Sequence, residues 1–344
     1  MTSAAKESST NFASIDIGSH TIRLLIASLV NSAQIIPVRV ERAITRLARG
    51  FQSSQELSLS SMESSIDVLK TYRDLLSHHK VGYVACGATG VVRRADNSAE
   101  FLEKVRASVG LDISILSEDS EATLSAKGIL SVLPDNQNLK LLFDLGGSST
   151  EFLLVDPRQT GPIWSQSIFL GAATVTEKHL ADDPPKTESV KLAVKFIGNQ
   201  IEQILSRVQH SLKQVGVALE DVLLVGTAGT VTTLASMYLK TNNYQAHRIN
   251  GLVLGENWLS DITQQLAGLT IGERQRIPGL EKGREDIILG GALIVLEILY
   301  AMKKRQLTVT DAGLLEGLLL DLIEKQRGMP HVLLNPLTWR WEKR

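Results

Sequence analysis

Two aspartates each end an apolar run and stand just before a glycine-containing turn. Asp16 closes a run that begins near residue 13, and Asp144 closes a run that begins near residue 141. The turn residues are Gly18, Ser19 and His20 after the first aspartate and Gly146, Gly147, Ser148 and Ser149 after the second. Backbone amides of such turns bind phosphate, and Mg²⁺ prefers carboxylate oxygens and water. The pattern predicts a metal and phosphate site, and the competing interpretation is that each aspartate only caps its turn.

A third glycine-rich segment follows the apolar run 222–225 and leads into a predicted helix. The backbone amides of Gly229 and Thr230 lie at the start of that helix, where the helix dipole favours an anion. No lysine follows the last glycine, so the segment is not a Walker loop. The segment predicts a second phosphate contact, and the alternative is a tight connection between a strand and a helix.

Two charged residues follow strand ends in the first half of the chain. Arg93 could hold a phosphate with its planar guanidinium group, or it could lie at a solvated helix end. Glu121 belongs to an acidic cluster with Glu118 and Asp119 at the start of a predicted helix. Acidic residues there usually favour the helix dipole. A carboxylate near a bound phosphate could instead orient or deprotonate an attacking water.

The two aspartate turns belong to an internal repeat. Aligning segment 13–29 with segment 141–156 places Asp16 on Asp144 and also aligns the glycines that follow, at an offset of 144 − 16 = 128 residues. This offset is close to the length of one domain. A fixed offset between similar segments favours duplication over two unrelated hairpins.

Helices alternate with strands around these repeats, which predicts an α/β fold. The apolar spacing predicts helices at 59–78, 100–109, 188–215, 256–266, 285–303 and 314–327, and strands at 81–86, 113–116, 222–225 and 306–309. The turn-rich residues 133–138 predict a boundary between two domains. The predicted organisation is a first domain of residues 12–132, a second domain of residues 133–330 with helical additions, and a tail of residues 331–344.

The composition narrows the classes of partner. The 344 residues include 36 basic and 37 acidic side chains, and a net charge of −1 gives no reason to expect nucleic acid as a partner. The single cysteine, Cys86, excludes a disulfide framework and suits a reducing compartment. The longest apolar stretch is broken by Gly290, Gly291 and Glu297, so no membrane span is predicted. Residues 1–10 are polar and lack the apolar region of a signal peptide. We therefore expect a cytoplasmic protein.

Eight segments in chain order resemble the exopolyphosphatase and guanosine pentaphosphate phosphohydrolase (Ppx/GppA) family, which belongs to the actin, Hsp70 and sugar-kinase superfamily. They are IDIGSHTIRLLI, GATGVVRRADN, SEDSEATLSAKG, FDLGGSSTEF, FLGAATVTE, GTAGTVTTLA, GREDIILGGAL and VTDAGLLEGLL. The resemblance implies two ribonuclease-H-like (actin-like ATPase) domains with a cleft between them. It also implies hydrolysis of a terminal phosphate from a phosphoanhydride chain, with Mg²⁺ or alternatively Mn²⁺ as the cofactor.

The resemblance also implies roles for individual residues. Glu121 matches the catalytic glutamate that activates or orients water, and Glu151 matches a second acidic residue that helps to position the water or the metal. Asp16 and Asp144 match the metal-side carboxylates, and Arg93 matches a phosphate-contacting arginine. The phosphate-cradling loops match Gly18, Ser19, Gly146, Gly147, Ser148, Ser149, Gly229 and Thr230. His20 is kept as a phosphate neighbour because of its place in the first turn.

The sequence departs from the family pattern at five positions. The family usually has asparagine at His20, glycine at Ser148, glutamate at Ser120 and arginine at both Thr174 and Leu315. The loss of two cations predicts a weaker hold on a long polyanion, or a preference for a shorter substrate.

The predicted function is therefore that of an exopolyphosphatase, which removes the terminal phosphate of inorganic polyphosphate by metal-assisted attack of water. The alternatives are a guanosine pentaphosphate (pppGpp) phosphohydrolase, a sugar or acetate-type kinase of the same superfamily, and a non-catalytic (p)ppGpp-binding protein. The expected partner is inorganic polyphosphate or guanosine polyphosphate. The oligomeric state stays open, with a homodimer as one form.

Overall fold

The computed structural model describes residues 10–30, 34–133, 138–159, 161–243 and 245–328. The chain divides into two compact units, which we call unit 1 and unit 2. Unit 1 contains the chain up to Val132 and resumes at Leu314, whereas unit 2 is Leu133–Gly313. The predicted tail of residues 331–344 and the polar residues 1–9 lie outside the described residues.

Unit 1 is built on one mixed sheet. Its strands are β1 (Thr10–Ile17), β2 (Thr21–Val30), β3 (Gln34–Ile44), β4 (Tyr83–Ala88) and β5 (Ser114–Ile115). Their order is β3-β2-β1-β4-β5, in which β2 is antiparallel to both of its neighbours and β1, β4 and β5 are parallel. Ile15, Ile22 and Leu24 are fully buried, so burial of β-branched and other apolar side chains favours these strands.

Apolar residues at helical spacing explain the longest helix of unit 1. The helices are α1 (Phe51–Ser54), α2 (Leu59–His78), α3 (Gly90–Arg94), α4 (Ser98–Val109), α5 (Glu118–Leu130) and, after unit 2, α13 (Leu314–Arg327). The hydroxyl of Ser58 caps α2 by accepting a hydrogen bond from the amide of Ser61. Met62, Ile66 and Leu69 then face the core that lies against one side of the sheet.

Helix α13 packs on unit 1 although it follows unit 2 in the chain. Leu315 and Leu319 of α13 lie in one buried cluster with Phe12 and Leu25 of β1 and β2. A Cβ atom on Gly317 would overlap the backbone of α5, so only glycine permits this close helix contact. The structure therefore places residues 314–327 in the first unit, whereas the sequence pattern predicts that they belong to the second domain. The physical reason is that the apolar face of α13 covers the β1–β2 side of the sheet.

Unit 2 repeats the sheet of unit 1. Its strands are β6 (Lys140–Leu145), β7 (Thr150–Val155), β8 (Pro162–Ile168), β9 (Leu223–Thr227), β10 (Val253–Gly255) and β11 (Gln306–Val309). Their order is β10-β11-β9-β6-β7-β8. Strands β6, β7, β8, β9 and β11 follow the order and directions of β1 to β5, and β10 adds an antiparallel edge strand. The predicted α/β fold class is confirmed, with the same strand order in each unit.

The helices of unit 2 surround one large apolar core. They are α6 (Ala172–His179), α7 (Thr187–Gln214), α8 (Ala228–Tyr238), α9 (Ala246–Ile249), α10 (Glu256–Ala267), α11 (Ile271–Arg274) and α12 (Ile288–Ala301). Buried residues such as Ile197, Ile201 and Ile294 join α7 and α12 in that core. Within the described ranges, no helix combines the length and the apolar character needed to cross a bilayer.

Candidate active site

The two predicted aspartate turns have the same backbone geometry. In unit 1 the amide of Gly18 donates to the carbonyl of Thr21 at 3.0 Å, and in unit 2 the amide of Gly146 donates to the carbonyl of Ser149 at 3.0 Å. A Cβ atom on either glycine would lie 3.2 Å from the accepting carbonyl oxygen. The internal repeat that the sequence predicts thus extends to the hydrogen bond that closes each turn.

The first turn also supports the helix that carries Arg93. The hydroxyl of Ser19 accepts a hydrogen bond from the amide of Val91 at 3.3 Å, near the start of α3. Gly90 has a φ of +46°, and a Cβ atom there would lie 2.9 Å from that hydroxyl oxygen. The carbonyl of His20 accepts from the amides of Thr45 and Arg46. Ser19 and His20, both predicted phosphate neighbours, therefore have structural contacts in this turn.

Glu121, the predicted general base, lies in the first turn of α5. The hydroxyl of Ser117 caps the helix by accepting from the amide of Ser120. The Glu121 Oε2 atom accepts a hydrogen bond from Arg93 Nη1 at 2.7 Å, and the same Arg93 nitrogen donates to the carbonyl of Leu116 at 2.8 Å. Arg93, predicted to contact phosphate, is thus joined to the predicted base.

Burial dominates the electrostatics of Glu121. It raises the pKa of this carboxyl, while the hydrogen bond and charge of Arg93 and the Thr89 hydroxyl lower it in part and the charge of Glu118 raises it. The net direction is upward. A carboxylate with a raised pKa is a stronger base and therefore a better proton acceptor for general base catalysis.

Asp16 lies in a group of charged side chains within unit 1. Burial raises the pKa of Asp16 to about 7, the charge of Arg23 lowers it, and the charges of Glu121 and Glu316 raise it further. Arg23 lies directly opposite Asp16 in the β1–β2 pairing. Arg23 also lies 3.9 Å from the Glu316 carboxylate on α13. Asp16 and Glu121, predicted separately from the sequence, are therefore electrostatic neighbours.

Unit 2 carries a different residue at the position of Arg23. Glu151 lies directly opposite Asp144 in the β6–β7 pairing, just as Arg23 lies opposite Asp16. Directly opposite residues of an antiparallel pair project to the same side of the sheet. Unit 1 therefore pairs a carboxylate with a guanidinium, whereas unit 2 places two carboxylates side by side. Two adjacent carboxylates favour a cation.

The β6–β7 turn, residues 146–149, is held by the start of α6. The carbonyls of Gly146 and Gly147 accept hydrogen bonds from the amides of Ala172 and Ala173 at 3.1 and 2.8 Å. A Cβ atom on Gly171 would overlap the Gly147 carbonyl. These contacts fix the turn that contains Ser148 and Ser149. They use the carbonyl groups of the turn and the amides of α6, and not the amides of the turn.

The third glycine segment begins helix α8. Ala228 has a φ of +72°, which is unusual for a residue with a Cβ atom. The Gly229 carbonyl accepts from the Thr233 hydroxyl at 2.7 Å. The Thr230 side chain is buried, and a Cβ atom on Gly291 of α12 would lie 2.9 Å from its hydroxyl oxygen. Any phosphate contact of Thr230 is therefore expected from its backbone.

Three residues that lie beside the predicted site residues were not predicted from the sequence. Arg23 and Glu316 are single charged residues within apolar segments, which is the signal that could have found them. Ser167 on β8 donates a hydrogen bond to Glu151 Oε1 at 2.8 Å. No local signal marks Ser167, because its partner lies 16 residues earlier in the chain.

This chain is similar in sequence and in fold to several known proteins. Exopolyphosphatase 2 of Mycobacterium tuberculosis is 29% identical over 325 residues, which cover 91% of this chain and 98% of that protein. A guanosine-5'-triphosphate,3'-diphosphate pyrophosphatase of Pseudoalteromonas atlantica is 23% identical over 316 residues, which cover 92% of this chain and 59% of that protein. The crystal structure of the Aquifex aeolicus member of the Ppx/GppA protein family is 28% identical with a TM-score of 0.74, covering 94% of this chain and 100% of that one.

The sequence model of the Ppx/GppA phosphatase family matches residues 25–326. This range contains Arg93, Glu121, Asp144 and Glu151. Because the match covers most of the chain, the chain belongs to the Ppx/GppA phosphatase family.

Proposed function

We propose that this protein is an exopolyphosphatase, which hydrolyses the terminal phosphoanhydride bond of inorganic polyphosphate. The observation that carries the proposal is Glu121, whose side chain is only 13% exposed and whose carboxylate has a raised pKa and is held at 2.7 Å by Arg93. The family membership and the relative named exopolyphosphatase 2, which this chain matches over 98% of its length, support it.

In the proposed reaction Glu121 accepts a proton from a water molecule, and the water oxygen attacks the terminal phosphorus. The bond from that phosphorus to the bridging oxygen breaks, which releases inorganic phosphate and a chain shortened by one unit. Arg93 keeps Glu121 in place through its hydrogen bond. Much of the rate enhancement in phosphoryl transfer comes from such positioning and from charge stabilisation.

Asp144 and Glu151 are the residues that would hold Mg²⁺, or alternatively Mn²⁺. They lie directly opposite one another on β6 and β7, so both side chains project to the same side of the sheet, where their oxygens could bind one ion together. Among the described residues no cluster of three or more histidine, cysteine or acidic side chains is arranged to hold a metal. Mg²⁺ commonly uses only one or two carboxylates together with water and phosphate oxygens. When bound, the ion supplies charge neutralisation on the phosphoryl oxygens.

Asp16 is a weaker candidate for the metal, because the guanidinium of Arg23 lies opposite it. Its metal role stays a prediction. The phosphate-binding roles of the two turns and of the α8 segment also stay predictions. The amides of residues 147–149 in the β6–β7 turn are the donors that suit a phosphate best, because the Gly146 amide closes the turn and α6 holds the carbonyls of the turn in place.

The experiment that tests the proposal is phosphate release from long-chain polyphosphate, with Mg²⁺ and with a chelator. We expect Mg²⁺-dependent release by the wild type. A protein that releases no phosphate from polyphosphate or from pppGpp under any metal condition would contradict the hydrolase proposal.

The same assay separates the alternatives. Faster release from pppGpp than from polyphosphate would favour the nucleotide phosphohydrolase, which the similarity to the Pseudoalteromonas protein keeps under consideration. Formation of ADP from ATP only with an added acceptor would favour a kinase. Binding of guanosine tetraphosphate without phosphate release would favour a non-catalytic binding protein.

We also propose a cytoplasmic location, supported by the single cysteine, Cys86, which is buried and free. Cell fractionation with an antibody against the protein tests the location. The homodimer stays a prediction, and light scattering of the purified protein measures the oligomeric state.

A further inference from the structure

One oxygen of the Glu151 carboxylate receives two hydroxyl donors. The hydroxyl of Ser149 donates to Glu151 Oε1 at 2.6 Å, and the hydroxyl of Ser167 donates to the same atom at 2.8 Å. The donors come from different elements, since Ser149 lies in the β6–β7 turn and Ser167 lies on β8. Two hydrogen bonds to one oxygen restrict the rotation of the carboxylate about its terminal bond.

The register of the sheet fixes where these groups stand. Asp144 lies opposite Glu151, and Glu151 lies opposite Ser167, so the three residues form a row across β6, β7 and β8. Neighbouring side chains of such a row share one face of the sheet. Backbone pairing therefore sets the position of Ser167 independently of the hydrogen bond that it makes.

The strand that carries Ser167 pairs with β7 along one side and is anchored at its C-terminal end. The Thr150 hydroxyl donates to the carbonyl of Leu170, just after β8. The amide of Leu170 in turn donates to the carbonyl of Ile168 at 2.8 Å. The Ser167 hydroxyl is thus presented from a fixed backbone, which is what a group that orients another side chain requires.

The two carboxylates in this row explain why Glu151 needs the hydroxyl donors. The Asp144 and Glu151 carboxylates repel each other, and a free glutamate side chain has rotamers that would turn its carboxylate away. Hydrogen bonds to an ionised carboxylate are among the stronger ones in proteins. Groups that orient the ligands of a metal in this way are typically worth about 10- to 100-fold in metal affinity or activity.

We infer that Ser167 is a positioning residue, whose hydroxyl keeps the Glu151 carboxylate beside Asp144 so that the two can bind a divalent cation together. The inference rests on the proposed metal role of Glu151. Ser167 itself contacts neither the cation nor the phosphate in this arrangement.

The test uses the full-length protein and Mn²⁺ alone, with binding followed by electron paramagnetic resonance. Ser167→Ala removes the donor, Ser167→Thr retains a hydroxyl, and Ser165→Ala is the matched control on the same strand, because Ser165 lies opposite Leu153 and not opposite Glu151. We expect Ser167→Ala to raise the Kd for Mn²⁺ about 10-fold, because Ser149 still holds the carboxylate. Ser167→Thr and Ser165→Ala should stay within about threefold of the wild type, well below that cost.

Kinetics give a second readout that a merely structural role would not move. In Ser167→Ala the Mg²⁺ concentration for half-maximal phosphate release should rise by the same factor as the Mn²⁺ Kd, while kcat at saturating Mg²⁺ returns close to the wild-type value. Thermal unfolding of the metal-free variants checks that the fold is unchanged.

Three results would overturn the inference, and they separate it from the proposed function. If Ser167→Ala binds Mn²⁺ as the wild type does while Glu151→Gln binds weakly, Ser167 has no positioning role and the metal role of Glu151 stands. If Ser167→Thr loses as much affinity as Ser167→Ala, the hydroxyl is not the active group. If Glu151→Gln binds Mn²⁺ as tightly as the wild type does, both the metal role of Glu151 and this inference are wrong. Phosphate release by the wild type still reports separately on the hydrolase activity.

Discussion

Replacement of Glu121 by glutamine separates the chemistry of this side chain from its packing. Glutamine has the same length and retains an oxygen that can accept the hydrogen bond from Arg93, which is 2.7 Å long in the wild type. The variant loses the negative charge of the carboxylate and with it the capacity to take up a proton. A positioned general base is typically worth about 10²- to 10⁴-fold in rate, which corresponds to about 3–5 kcal/mol of barrier. We therefore expect kcat for phosphate release to fall by that factor, with little change in KM.

Stability should move in the opposite direction to activity. Burial raises the pKa of Glu121, so the folded protein accommodates its negative charge less well than water does. A neutral amide avoids that cost, and we expect the Tm of Glu121→Gln to equal or exceed that of the wild type at pH 8. A slow variant that is also less stable would indicate a damaged site instead of a missing base.

The matched control for this experiment lies one turn earlier on the same helix. Glu118 is an acidic residue of α5 that lies 3.5 Å from the same arginine, but its side chain is 69% exposed. Glu118→Gln should keep kcat within about threefold, far from the typical worth of a positioned base. The reasoning is refuted if Glu121→Gln retains a kcat within threefold of the wild type, or if the two variants lose activity equally.

Three further predictions follow from the surroundings of the site. Because the native pKa of Asp16 is about 7 and its ordinary value is 3.8, this group favours the folded state at low pH. Its contribution to the free energy of unfolding should fall by about 4 kcal/mol between pH 4 and pH 8, and urea unfolding of Asp16→Asn in a chelator should lack that decline. Gly171→Ala should displace the β6–β7 turn and lower stability by about 1–3 kcal/mol, whereas Gly272→Ala, where a Cβ atom meets nothing within 4 Å, should cost less. Arg93→Lys should weaken the hydrogen bond that lowers the pKa of Glu121, so the acidic limb of the kcat/KM profile should move to higher pH; an unchanged limb would contradict this coupling.

Buried and strongly periodic elements could be predicted from the sequence. Helix α2 and strand β11 have the bounds that the apolar spacing predicted, and α7 differs by one residue at each end. Helix α12 is shorter than the predicted 285–303, because residues 283–287 form turns in which Arg284 accepts from the amide of Ile287. Periodicity alone could not place this boundary, because residues 283–286 are glycine and charged residues and carry no apolar spacing.

The third strand of each sheet was missed in both halves. Strand β3 contains Pro37 and the charged residues Arg39 and Glu41, and every residue of β8 is only half-buried. Edge strands of this kind lack the continuous apolar run that marks a central strand. The partners that these strands provide, including Ser167 beside Glu151, depend on register between distant segments and could not be read from local spacing.

The predicted site residues differ in how much the sequence could say about them. The aspartate turns could be found because the repeat marks them twice. The contact between Arg93 and Glu121 could not, because 28 residues separate them and the contact depends on how α3 and α5 meet. Arg23 and Glu151 occupy the same place in the two sheets. This difference between the units could not be predicted either, because it depends on the strand pairing in both sheets.

The placement of α13 in unit 1 has a consequence for how the chain is made. During translation residues 10–132 are synthesised first. Helix α13, which covers Phe12 and Leu25, is synthesised about 180 residues later, after the whole of Leu133–Gly313. During that interval an apolar surface of the nascent chain lacks its native cover, and such surfaces promote aggregation. Fragments that stop before Leu314 should therefore require a chaperone for solubility, whereas a circular permutant that begins at Leu314 would synthesise the cover first.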